Sequence, residues 1–258
     1  MVIGALVLLS SSLLNVKPAP VFVDLSIGSH GPYRFLVDTG AQTSLIDPKL
    51  AAELHLRPEF QVDIITQYGS QRAPGLNTHD LRIGGRSLPQ TELVFQDVRE
   101  LQRLDRSVRG LLGINALAGA VFTLSPATGR LEFTDERPDG EVVPLYRIEG
   151  RIALKARMGR ETLTLILDSG STNVVLFRKP EAMAKTASVS RVFGTLEGAR
   201  HTVPTTWTAD MFFDGLRVGM LPAAIVERQD SKAEGLLPAS VFRAIHVDQR
   251  RGEVVLAR

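Results

Sequence analysis

The stretch "RFLVDTGAQTSLI", residues 34–46, decides the fold. Three apolar residues, Phe35, Leu36 and Val37, run straight into an aspartate, and a Thr-Gly turn follows at once. The apolar run reads as a buried strand, yet an unpaired carboxylate in a water-poor place is costly. The chain repeats the arrangement at "LTLILDSGSTNVVL", residues 163–176, which sets Asp38 and Asp168 130 positions apart (38 to 168). Taken singly, either aspartate reads as a turn former that bonds the backbone two residues on. Two copies with the same apolar approach point instead to two carboxylates that share one site, one proton and one water.

The repetition extends outward from these loops. Upstream, "PVFVDLSIG" (20–28) and "RIALKARMG" (151–159) both alternate apolar and polar residues, as half-buried strands do. Downstream, "SLI" and "NVVLF" are further strand-like runs. A short helix is expected in each half, opened by proline: "DPKLAAELHL" with Asp47 as N-cap and Pro48 at the first helical position, and "KPEAMAKTA" with Pro180 in the matching place. The ends match as well. "RGLLGINALAGAVFTLSPATGRLEF" (109–133) parallels "EGLLPASVFRAIHVDQRRGEVVL" (234–256), each a Gly-Leu-Leu element, a short helix and a hairpin turning at Gly129 or Gly252. Between the copies, "TDERPDGE" (134–141) reads as a linker. The expected organisation is a leader over residues 1–16 and two β-rich lobes, 17–138 and 139–258, each of ordinary domain size.

Composition narrows the function. The chain has 258 residues, 44% of them hydrophobic, enough to bury a core in each half. Lys and Arg number 30 against 28 Asp and Glu, with no long basic block, so nucleic-acid binding has no support. Cysteine is absent, which excludes disulfides and thiolate metal sites. The five histidines are scattered without ligand-pair spacing, so neither a metal nor another cofactor is expected. Residues 2–9 form an apolar run of signal-peptide length, too short to span a bilayer. No basic residue precedes it beyond the amino terminus and no A-x-A site follows, yet export to a periplasmic or external space is the favoured expectation. No stable membrane insertion is expected once the leader is removed.

The residues quoted above resemble the pepsin-like and retroviral-type aspartic peptidases. "LVDTGA" (36–41) and "ILDSGS" (166–171) look like the two active-site loops of that family, and "GLLG" (110–113) and "GLLP" (235–238) like the element beneath each loop. The DTGA form resembles the retroviral type, duplication within one chain resembles pepsin, and the compact cysteine-free halves look like the bacterial retropepsin-like members. The resemblance implies an all-β fold with a few short helices, built as two pseudo-twofold-related acid-protease lobes, in a monomer. It implies an endopeptidase acting on peptide or protein substrates. Asp38 and Asp168 hold the attacking water, one ionised as general base and the other protonated toward the scissile carbonyl. Thr39 and Ser169 bond across the lobe interface.

Gly40 and Gly170, lacking a Cβ, let the backbone turn sharply and bring N–H groups to the carboxylates. The hairpin "QVDIITQYGSQRAPGL" (61–76), turning at Tyr68-Gly69, is the candidate substrate flap. In the second half "VFGTLEGARHTV" (192–203) takes that place, with Glu197 and Gly198 at the tip. Two departures from pepsin carry expectations. Ala41 cannot bond a carboxylate oxygen, whereas Ser171 can, so the pair is expected to titrate higher than in pepsin, with a weakly acidic optimum. Pro238 replaces a glycine and puts the support of the second loop in question. No G-x-S-x-G elbow or Walker loop competes with this reading. The alternative is an inactive module of the same fold that binds peptides or assembles with partners.

Overall fold

In the computed structural model, residues 20–66, 69–183, 188–194, 200–228 and 231–258 are described. Strands dominate, with one six-residue α-helix and four short 3-10 turns among these residues. The all-β expectation is therefore met. Leader residues 1–16 lie outside the described residues.

The apolar runs become strands buried on both faces. His30–Asp38 ends in four buried residues, Phe35 to Asp38. Phe22–Ile27 pairs with it antiparallel, Phe22 opposite Leu36. On its other side Val108–Gly113 pairs with it in parallel, so that Asp38 lies level with Gly113. Ser44–Ile46 then flanks the far side of that Gly-Leu-Leu strand, Leu45 opposite Leu111. The loop carrying Asp38 thus arches over the end of the Gly-Leu-Leu strand. Crowding dictates the glycine there: a Cβ on Gly110 would come 2.1 Å from the Phe35 ring and 2.4 Å from the Leu45 carbonyl.

The second half repeats the pattern. Glu161–Asp168 lies between Arg151–Met158 and the parallel strand Gly235–Pro238, with Asp168 level with Pro238. Val174–Leu176 flanks that strand in turn, and a Cβ on Gly235 would lie 2.1 Å from the Val175 carbonyl. The strand order of one sheet is Phe60–Thr66, Gly69–Thr78, Thr91–Phe95, Ser44–Ile46, Val108–Gly113, His30–Asp38, Phe22–Ile27, Leu81–Ile83, Arg86–Ser87. The other sheet places the counterparts in the same order, from Val189–Gly194 through Val174–Leu176, Gly235–Pro238, Glu161–Asp168 and Arg151–Met158 to Leu216–Gly219. A third sheet of five strands joins the halves. Val121–Ser125 from the first pairs with Ala244–Asp248 from the second, flanked by Arg130–Glu132, Glu253–Ala257 and Glu141–Pro144. One apolar core runs beneath all three sheets, from Val21 and Phe35 through Phe122 to Leu165, Phe242 and Leu256.

The two proline-opened segments differ. Pro48–Glu53 is an α-helix capped by Asp47, whose side chain accepts from the Lys49 N–H at 3.1 Å, with Leu50 and Ala51 buried. After Pro180 there is only the 3-10 turn Glu181–Met183, and residues 184–187 lie outside the described residues. Lys179 stands where Asp47 stands in the first half, and it lacks the short oxygen-bearing side chain that starts a helix. No helix among the described residues is long and apolar enough to cross a membrane.

Candidate active site

The two Asp loops meet where the paired sheets abut. Asp38 and Asp168 are each 1% exposed, and their carboxyl groups lie within hydrogen-bonding reach of each other. The inner oxygens are held alike. Asp38 Oδ1 accepts from the N–H of Gly40 at 2.9 Å and of Ala41 at 3.2 Å. Asp168 Oδ1 accepts from the N–H of Gly170 at 2.8 Å and of Ser171 at 3.0 Å. The outer oxygens, Oδ2 of each, are buried and receive no donor from the described residues. Two buried carboxyls this close are tolerable only if they share a proton.

Thr39 and Ser169 tie the loops together reciprocally. Thr39 Oγ1 donates to the Leu167 carbonyl at 2.7 Å and accepts from the Ser169 N–H at 3.1 Å. Ser169 Oγ donates to the Val37 carbonyl at 2.8 Å and accepts from the Thr39 N–H at 3.1 Å. Each hydroxyl thereby uses both its donor and an acceptor lone pair across the interface.

The glycines have a role the sequence did not reveal. Neither Gly40 nor Gly170 adopts a left-handed conformation, so a sharp turn is not what requires them. A Cβ on Gly40 would lie 2.5 Å from the carboxyl carbon of Asp168, and one on Gly170 would lie 2.8 Å from that of Asp38. Each glycine clears space for the carboxyl of the opposite loop.

The expected asymmetry between Ala41 and Ser171 does not reach the carboxylates. Ser171 Oγ donates instead to the Asn173 carbonyl at 2.8 Å, two residues on. Pro238, buried and extended, sits level with Asp168 as Gly113 does with Asp38. Of the candidate flap, Gly69 opens a strand opposite Thr66, whereas Tyr68 lies outside the described residues, as do Glu197 and Gly198.

Burial raises the carboxyl of Asp38 above the ordinary carboxylate range, against the pull of its hydrogen bonds and of Arg151. Burial, followed by the charge of Asp38, raises Asp168 further. The protons belong to the pair. Among the described residues no cluster of acidic and histidine side chains is arranged to hold a metal ion. Sequence reasoning passed over Arg151, whose charge acts on Asp38, and Glu149 and Gln42, which hold it in turn. The available signal was a charged residue opening the apolar strand "RIALKARM".

Residues 23–116 match the model of a family described as aspartyl protease. The matched span contains the Asp38 loop and the Gly110–Gly113 strand and stops short of Asp168. This likeness supports placement with the aspartic peptidases. No curated protein matches the chain.

Proposed function

We propose that the protein is an aspartic endopeptidase in which Asp38 and Asp168, one from each of two pseudo-symmetric lobes, activate a water molecule against a peptide bond. The observation that carries this reading is the pair of buried carboxyls in mutual contact, each fixed by two backbone N–H groups. With one proton on the pair, the ionised member takes a proton from water while the protonated member donates toward the scissile carbonyl oxygen. Carbon–oxygen bond formation gives a tetrahedral diol, and return of a proton to the leaving nitrogen breaks the C–N bond. No covalent intermediate with the enzyme is needed. Aspartic peptidases are the standard example of two carboxylates sharing a proton in this way.

The preset N–H donors and the Thr39/Ser169 bonds support this chemistry because they hold the carboxyls without reorganisation during the reaction. The burial that raises the pair supports a weakly acidic optimum. In this reading the hairpin around residues 61–76 closes over a peptide substrate, the protein works as a monomer without a cofactor, and it is exported. The test is cleavage of a peptide library by the wild type, Asp38→Asn and Asp168→Asn, with inhibition by a statine-type transition-state mimic. Turnover that both substitutions abolish, and that the mimic blocks, supports the enzyme. Peptide binding without turnover, unchanged in either variant, supports the inactive module instead.

A further inference from the structure

The two Asp loops are nearly alike, yet their surroundings are not. In the second half Ala153 pairs with Ile166, and the same register carried two residues on sets Arg151 across from Asp168. Residues opposite one another in an antiparallel pair share a face. In the first half Phe22 pairs with Leu36, so the place across from Asp38 belongs to Pro20. The place across from one aspartate therefore holds a cation, and the place across from the other holds a proline.

Arg151 is 3% exposed. Its Nη2 pairs with Glu149 Oε2 at 2.6 Å, while its Nε is buried with no partner among the described residues. Glu149 and Gly150 form the tight turn of the hairpin that pairs Ile148 with Arg151, both with positive φ. The Glu149 carbonyl accepts from Gln42 Nε2 at 2.5 Å. Gln42 lies four residues beyond Asp38, so the turn that holds Arg151 is fastened to the opposite active-site loop. The other charged neighbour is Arg228, whose guanidinium lies 5.7 Å from the Phe177 ring and close enough to repel Arg151. The charges that bear on the pair are thus Arg151, with Glu149 and Arg228 behind it. A group so enclosed offers a substrate no surface. Its remaining influence is electrostatic, and burial strengthens it.

We infer that Arg151 is a positioning residue for the dyad: an enclosed positive charge, fixed by Glu149 and through it by Gln42, that favours the singly ionised form of the Asp38/Asp168 pair. The inference rests on the peptidase reading for its catalytic consequence, though not for its physics. Burial alone drives both carboxyls toward the fully protonated state, which lacks a base. A nearby fixed cation restores one ionisation at mildly acid pH, and an opposite charge beside a carboxyl typically moves it by about 1–3 pH units.

Two readouts separate the inference from the function it serves. One is the acid limb of kcat/KM for peptide cleavage. The other is titration of 13C-labelled aspartate carboxyls by NMR, which needs no turnover. Arg151→Met is expected to move the lower ionisation of the pair up by about one unit, while Arg151→Lys keeps it near the wild-type value. Glu149→Gln is expected to move it down, because the charge of Arg151 is then no longer offset. A folded Arg151→Met protein with an unmoved titration overturns the inference, as does a shift of the same sign in Glu149→Gln. Should Arg151→Met fail to fold, the sign of the Glu149→Gln shift decides alone. A wild type without turnover defeats the peptidase reading and leaves the NMR titration to judge Arg151.

Discussion

At the scale of single residues, the site depends on atoms that are absent. Gly40 and Gly170 each leave the space in which the opposite carboxyl lies, with clearances of 2.5 and 2.8 Å to an added Cβ. Heavy atoms do not remain at such separations, and the obstacle is a carboxylate held by two N–H groups. Gly40→Ala therefore has to push Asp168 aside or tilt its own loop. In the proposed peptidase, displacing a catalytic group by about 1 Å costs on the order of 100-fold, so kcat/KM on a peptide substrate should fall by about that factor. The backbone accepts alanine, because φ at Gly40 is not left-handed, but crowding the held carboxyl should cost about 1–3 kcal/mol as well, read as a lowered Tm. A Gly40→Ala enzyme with full activity would show that the carboxyls need not be so close. Gly170→Ala should behave alike, since the loops are reciprocal.

At the scale of elements, the two halves solve one packing problem in different ways. Ser44 is fully buried; its Oγ accepts from the Gly113 N–H at 3.0 Å and donates to Asn115 Oδ1 at 2.8 Å. In the second half Val174 stands at the start of the equivalent strand and Pro238 at the equivalent of Gly113. Proline has no N–H to satisfy, so a valine in the place of Ser44 leaves nothing orphaned there. Ser44→Val in the first half, by contrast, strands the buried Gly113 N–H and leaves the half-buried Asn115 amide oxygen without its donor. The buried N–H alone should cost about 1–3 kcal/mol, read as a Tm lowered by about 2–4 °C per kcal/mol. An unchanged Tm would mean that water replaces the hydroxyl. The same comparison shows what the sequence could reveal. The strands, the Asp loops and the Gly-Leu-Leu elements are readable because alternation and forced glycines leave a local mark. The match of Val174 to Pro238, the clearance at Gly40 and the place of Arg151 depend on partners far along the chain. So does the joining sheet: alternation in Val121–Ser125 and Ala244–Asp248 tells which face is buried, not which strand lies alongside.

At the scale of the whole molecule, two buried groups set opposing pH dependences. Burial raises both dyad carboxyls in the folded state. A group raised on folding contributes its full stability below the unfolded value, about 3.9 for aspartate, and that contribution is lost as pH rises through the folded ionisations. Above those ionisations the dyad works against the fold. His246 acts in the reverse sense. It is 1% exposed within the joining sheet, its Nδ1 bonds Thr123 Oγ1 at 3.0 Å, and its Nε2 has no partner among the described residues. Burial, then the positive charge of Arg137, lowers its folded value against the pull of Asp248 and Asp135. Its contribution is therefore complete above the unfolded value of about 6.5 and is lost as pH falls toward the folded one. Asp38→Asn should accordingly raise the Tm at pH 7 by a few degrees while removing activity, with the gain shrinking toward pH 4. His246→Asn, which keeps an acceptor for Thr123, should flatten the decline in Tm below pH 6.5 without altering the slope set by the dyad. The two effects should add, because the groups sit in different sheets and share no partner. A Tm–pH series on the two variants and their combination checks this: an Asp38→Asn protein less stable than wild type at pH 7 would show that the dyad carries no strain in the fold.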